Sequence, residues 1–177
     1  WVYHRPRSLS STDSGAQGVA GKDEKGNAIS ALGFRRPYGP LSGCCVPAPS
    51  VLEFDKAGNL IQAWGGPADP GFLEKKCRVQ DGCTWPAREH GIFVDHNGFV
   101  YVSGNGQAVN FHGQFPWAPN FGNDSHILKF TRDGKFLFQV GKRGQSKGSL
   151  DKENFNNAAD IYVYPKTNEA FIADGYV

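Results

Sequence analysis

The sequence predicts an all-β fold assembled from repeated hairpins, and three observations carry that prediction. First, residues 89–105, EHGIFVDHNGFVYVSGN, alternate with period two on both sides of Asn97-Gly98, the strongest short hairpin signal. The pattern returns in residues 159–177, ADIYVYPKTNEAFIADGYV, and in degraded form in residues 18–34, GVAGKDEKGNAISALGF. Second, SVLEFDKAGNLIQAWG at 50–65 matches HILKFTRDGKFLFQVG at 126–141, each with an apolar alternation into Phe, a polar turn ending in Gly, and a closing Gly. Third, the two kinds of hairpin alternate along the chain. Four strands per repeat is the unit of a β-propeller blade, so the fold class predicted is a β-propeller of four-stranded blades.

The elements follow in order. Residues 1–17 are polar and serine-rich and read as an irregular lead-in to a single partial propeller domain spanning 1–177. Residues 18–65 read as the first blade, with a weak hairpin over 18–36 and a strong one over 50–65. Between them, 37–49 holds four prolines and two glycines, which argues against ladder pairing there. Residues 66–89 form a long loop, and 90–141 the second blade. The loop 105–124 inside that blade carries Phe111, Phe115, Trp117 and Phe121, which either fill a gap between blades or cover a site. After a polar connection, 159–177 start a third blade.

Composition narrows the function classes. With 23 glycines, 11 prolines and 13% aromatics, the 177-residue chain suits a turn-rich β protein with large contacts between sheets. No long apolar segment has the helical period, so helix should be scarce. The net charge of +2 argues neither for nor against nucleic acid, and with no basic cluster interleaved with aromatics no nucleic-acid partner is expected. No apolar run is long enough to span a membrane. The opening WVYHRPRSLS lacks the apolar core of a signal peptide, so any export signal must already have been removed.

Four cysteines are present. Cys77 and Cys83 flank a short loop containing Gly82, and a disulfide between them would pin the 66–89 loop and imply an exported protein, periplasmic or extracellular. Cys44 and Cys45 could pair with each other, pair elsewhere or stay reduced. A zinc cluster of cysteines lacks the usual C-x2-C spacing.

Blades of the form GI-x-VD-x-x-G-x-VYV followed by ILKF-x-x-DGKFL resemble those of six-bladed NHL-repeat propellers, and the order of landmarks is similar to the peptidyl-α-hydroxyglycine α-amidating lyases. The resemblance covers residues 18–177, about the first two and a half blades of that fold. It implies zinc and calcium as cofactors. His90, in EHGIFVD, matches a zinc-ligand histidine; Tyr176, in ADGY, matches the catalytic base; Arg35 or Arg36, in FRR, falls near the arginine that holds substrate. Val19 and Ile92 match positions whose backbone carbonyls bind a structural calcium. The alternatives are an inter-blade aromatic for Tyr176 and a solvated loop charge for Arg36.

The chain also departs from that family. A family disulfide is lost at both ends, with Asn156 and Val177 in place of its cysteines, and the 66–89 and 105–124 loops are longer. The other two zinc histidines belong to later blades, and His4, His96 and His112 do not replace them; His126, ahead of the ILKF strand, has the pattern of a packing residue. Completion of the ring is therefore expected from further sequence or from a second chain. Two functions compete: a lyase cleaving the C–N bond of an α-hydroxyglycine-type substrate, and a non-catalytic propeller binding a small-molecule or peptide ligand at its central channel. A calcium-dependent propeller hydrolase is a third, weaker idea, because Asp95, Asp160 and Asp174 stand where turn chemistry already explains them.

Overall fold

A computed structural model describes residues 1–5, 48–66, 77–106 and 122–175. These residues form nine strands: β1 (Val2–Tyr3), β2 (Val51–Phe54), β3 (Leu60–Trp64), β4 (Glu89–Val94), β5 (Val100–Gly104), β6 (His126–Phe130), β7 (Phe136–Gly141), β8 (Ala158–Val163) and β9 (Ala170–Asp174). The one helical element among the described residues is a 3-10 turn, Val79–Asp81, and none of their helices is long and apolar enough to cross a membrane.

All pairing is antiparallel, in three open sheets ordered β1-β2-β3, β4-β5-β6-β7 and β8-β9. The middle sheet is the four-stranded meander expected for 90–141. The two matched hairpins, β2–β3 and β6–β7, share their register: Glu53 faces Gln62 and Phe54 faces Leu60, as Lys129 faces Phe138 and Phe130 faces Phe136.

The β2–β3, β4–β5 and β6–β7 turns share one construction, which differs from a two-residue Asn-Gly turn; the β8–β9 turn differs again, with Asn168 at a φ of +60°. Asp95 opens a five-residue loop, accepting the amides of Asn97 and Phe99 on Oδ1, and its own amide bonds the Phe99 carbonyl. Within that loop only Gly98 takes a positive φ, +83°. Asp55 with Gly58 and Thr131 with Gly134 repeat the arrangement. A side-chain acceptor at the first turn position and a left-handed glycine at the fourth are what a type I turn with a following bulge requires.

Of the lead-in expected over 1–17, residues 6–17 lie outside the described residues. Val2 and Tyr3 pair with Leu52 and Val51, so this end lies in the first sheet as a strand beside β2. The hairpin expected over 18–36 lies outside the described residues.

Strand alternation sends the two faces of the middle sheet into two cores. Val100, Val102, Leu128 and Phe130 pack with Val51, Trp64 and Trp85 on the side of the first sheet. Tyr101 and Ile127 pack with Ala158, Ile161 and Val163 on the side of β8–β9. Phe130 is the hub of the first core, its ring 5.2 Å from Trp64, 5.8 Å from Trp85 and 5.7 Å from Phe136. Gly134 brings the β6–β7 turn onto Trp64: a Cβ there would lie 2.6 Å from the indole, and its φ is +84°.

The predicted disulfide is formed. Cys77 and Cys83 are joined with Cα atoms 5.1 Å apart, and both are buried in the first core. Cys44 and Cys45 lie outside the described residues.

Two predictions follow from repeat equivalence and from the disulfide. Phe130 is 1% exposed, whereas its counterpart Phe54 is 39% exposed. Phe130→Ala should cost about 3–5 kcal/mol of unfolding free energy, and Phe54→Ala under about 1 kcal/mol, by urea titration. Equal losses would contradict the assignment of faces. Replacing both Cys77 and Cys83 by serine should cost about 2 kcal/mol, the loop-closure entropy of so short a ring, in the same assay.

Candidate functional site

His90 is the sequence-predicted site residue whose side-chain surroundings the structure describes most fully, and a bulge sets its position. Along β4 and β5, Glu89 pairs with Gly104 and Ile92 with Val102, so His90 and Gly91 together oppose the single residue Ser103. Such a bulge bends the strand and re-aims its side chains. Gly91 is required there, because a Cβ would stand 2.5 Å from the Ala159 carbonyl oxygen and 2.6 Å from Ser103 Oγ. The close approach carries β4 onto β8, and His90 Nδ1 lies 2.8 Å from that same Ala159 oxygen. A carbonyl only accepts, so Nδ1 carries the proton and donates, which places the ring's lone pair on Nε2. The third sheet has its own irregularity at the matching place, between Ala158 and Asp160 of β8.

Ile92 is half-buried beside the bulge, paired with Val102 and packed on the first core. Val19, Arg35, Arg36 and Tyr176 lie outside the described residues, as do His112 and the aromatics of 105–124 that the sequence singled out. Among the described residues no three of His, Cys, Asp and Glu converge as a metal-binding group.

The other histidines are accounted for locally. His96 is in the exposed β4–β5 turn, next to Asn97. The ring of His4 reaches the Pro49 carbonyl at 2.8 Å. His126 is fully buried and donates from Nε2 to the Thr84 carbonyl at 2.6 Å, the packing role its position suggested. Burial lowers its pKa below 6.5, with Asp124 opposing and Arg143 reinforcing that shift.

Sequence reasoning missed two buried carboxylates that hold the same end of the sheets. Asp124 accepts the amides of Ala87 at 2.8 Å, Arg88 at 3.0 Å and Gly106 at 2.9 Å, and pairs with Arg143 Nε at 3.6 Å. Arg143 also donates to the Trp85 carbonyl. Glu89 accepts from Trp85 Nε1 at 2.9 Å and Ser50 Oγ at 3.1 Å, while Arg5 donates to its backbone carbonyl at 2.6 Å. Asp124 serves the loop backbone, with both of its oxygens occupied, and a carboxylate so engaged is poorly suited to proton transfer. Its only sequence signal was an acid just ahead of an apolar strand, a pattern shared by ordinary turns. Asp95 and Asp174 likewise hold backbone: Asp174 accepts the Asn156 amide at 2.6 Å, and burial raises its pKa.

Compared with protein-family models and with curated proteins, the chain matches none.

His126 gives a pH prediction. Its folded pKa is depressed, so its contribution to stability is fully present above the unfolded value of 6.5 and is lost as pH falls below it. Unfolding free energy should therefore drop between pH 6.5 and 5, and His126→Gln should flatten that slope. An unchanged slope in the variant would assign the acid sensitivity to another group.

Proposed function

We propose that the three sheets are consecutive blades of an NHL-type β-propeller, and that the bulge at His90 belongs to a metal site at the inner end of those blades. The blade reading is supported by the four-stranded meander, by the matched hairpins, and by packing of the middle sheet on a neighbour at each face. The single observation that carries the site is the bond from His90 Nδ1 to the Ala159 carbonyl. Metal-binding histidines donate their other ring nitrogen to a carbonyl or carboxylate, which fixes the tautomer and the ring plane. His90 thus fits the requirement for one zinc ligand, through Nε2. Other ligands are needed to complete a catalytic zinc site, which takes about three protein groups and one open position.

The activity that best suits such a site, by the resemblance of its residues, is cleavage of the C–N bond of an α-hydroxyglycine-type substrate. Zinc would lower the pKa of the substrate hydroxyl, as it does for water. Within the chain, Tyr176 would take the hydroxyl proton and Arg35 or Arg36 would hold the substrate carboxylate in a two-pronged grip. As the C–N bond breaks, the electron pair leaves with the amide nitrogen, which is reprotonated, and the hydroxyl carbon becomes the carbonyl of glyoxylate. Calcium, held by the Val19 and Ile92 carbonyls, would tie the inner strands together. The Cys77–Cys83 disulfide supports an exported location, where such a bond persists.

Elemental analysis of the complete ring, desalted without chelator, tests this reading. The expected result is about one zinc per complete ring, lost in His90→Ala with the fold retained, and glyoxylate release abolished by Tyr176→Phe. A folded protein that holds no zinc, with or without His90, would make this a binding propeller.

A further inference from the structure

The connection between β7 and β8 encloses a polar cleft against the end of β7. Asp151 is its hub. Oδ2 accepts the Lys147 amide at 2.9 Å and Asn154 Nδ2 at 3.2 Å, while Oδ1 accepts the amides of Glu153 at 2.8 Å and Asn154 at 3.1 Å. These bonds, the Glu153 amide foremost, hold the Asp151 carboxyl down to about 2, so the hub stays ionised into acid. Asn154 Oδ1 accepts the Lys142 amide at 2.8 Å, which ties the far end of the connection back to its start. On the strand side, Gln139 Oε1 accepts the Thr84 amide at 2.9 Å, and its Nε2 donates to the Gly141 carbonyl at 2.8 Å. The cleft between these walls measures about 380 Å³, within the range of small-ligand cavities. Lys142, Gln145, Lys147 and Glu153 also line it, with side chains that take no part in that scaffold. Among the described residues, Lys142, Lys147 and Glu153 form no ion pair with one another or with any other group.

We propose that this cleft binds a free acidic α-amino acid, its two carboxylates held by Lys142 and Lys147 and its ammonium by Glu153. Charge selects the ligand. Apart from Gly141 the lining residues are polar or charged, so an apolar ligand would find no complementary surface. Two ammonium groups on one cavity suit a dianion, but a plain dicarboxylate would leave Glu153 unanswered. A diamine would meet two lysines of its own sign. An acidic α-amino acid answers all three charges, and the Gln145 amide can donate to a carboxylate or accept from the ammonium. Asp151, Asn154 and Gln139 already hold the walls, so little ordering is left for the ligand to impose. The cleft is made by β7 and the connection after it, and its chemistry is independent of zinc, turnover and ring closure.

The test titrates L-glutamate into the isotope-labelled full chain and follows the backbone amides of Lys142, Lys147 and Asn154 by NMR. They should shift with a dissociation constant of about 1 mM or tighter. Glutarate, which lacks the ammonium, should bind about two- to fivefold more weakly. Lys142→Gln and Lys147→Gln should each weaken glutamate by about the same factor, and Glu153→Gln should reverse the order of the two ligands. A second measurement uses the unaltered protein: glutamate should slow acetylation of Lys142 and Lys147 relative to the exposed Lys56 and Lys152. No amide shift with glutamate at about 10 mM overturns the proposal, and so does a ligand order that ignores residue 153. Slow acetylation of Lys142 and Lys147 before any ligand is added also overturns it, and would make a segment of this chain the occupant.

Discussion

Both faces of β5 are buried, and much of the rest of the architecture depends on that constraint. In a strand, successive side chains point to opposite sides. Val100 and Val102 must find apolar cover on one side while Tyr101 and Ser103 find it on the other. No single sheet can provide this, so the middle sheet is stable only between neighbours. Full burial of one large apolar side chain is worth about 1.5–3 kcal/mol, and Val100, Val102, Leu128 and Phe130 depend on the first sheet for theirs. The stacking of sheets is therefore a requirement of the strand pattern. The same argument explains why Phe54, Leu60, Tyr162 and Phe171, on the outermost sheets, are exposed although they sit in the same repeats.

Stacking sheets leaves loop backbone to be satisfied at their ends, and the buried carboxylates do this. An unpaired buried amide costs about 1–3 kcal/mol, and Asp124 alone accepts three of them from two separate loops. Arg143, reaching from beyond β7, brings a positive charge to Asp124 and a donor to Trp85. Glu89 does the corresponding task at the start of β4, binding Trp85 and Ser50 so that the first sheet is joined to the second. The disulfide closes the loop that feeds Trp85 into the core. These contacts fix where β4 begins, and so where its bulge falls.

The hairpins were legible because period two, a turn acceptor and a glycine all lie within one short stretch of sequence. The match of 50–65 with 126–141 was legible too, and the two hairpins do pair in equivalent register. What was not legible came from contacts across long separations. Glu53 and Arg132 are 79 residues apart and look like two ordinary surface charges. Glu89 and Asp124 read as solvated acids, since nothing local says that their neighbours are buried amides and an indole. The strand at Val2–Tyr3 is too short to show alternation, and its place is set by the exposed edge of β2. At the site, resemblance drew attention to His90, but the bulge at His90–Gly91 and the Ala159 carbonyl depend on how two sheets meet.

That dependence has a consequence for how such a site could evolve or be disturbed. His90 is oriented by an atom of the neighbouring sheet, and the distance to that atom is set by Gly91 and by the packing of Tyr101 and Ile127 on Ile161 and Val163. Close-packed sheets shift as units when a core side chain changes size. A substitution in the second core would move Ala159 relative to β4 and loosen the imidazole without touching it. The ring would then rotate, or exchange its proton between nitrogens, and its lone pair would no longer be aimed at one point. A histidine held on a single sheet could be re-aimed by local change alone. One held between two sheets has its orientation tied to the same face-to-face packing that stabilises the fold.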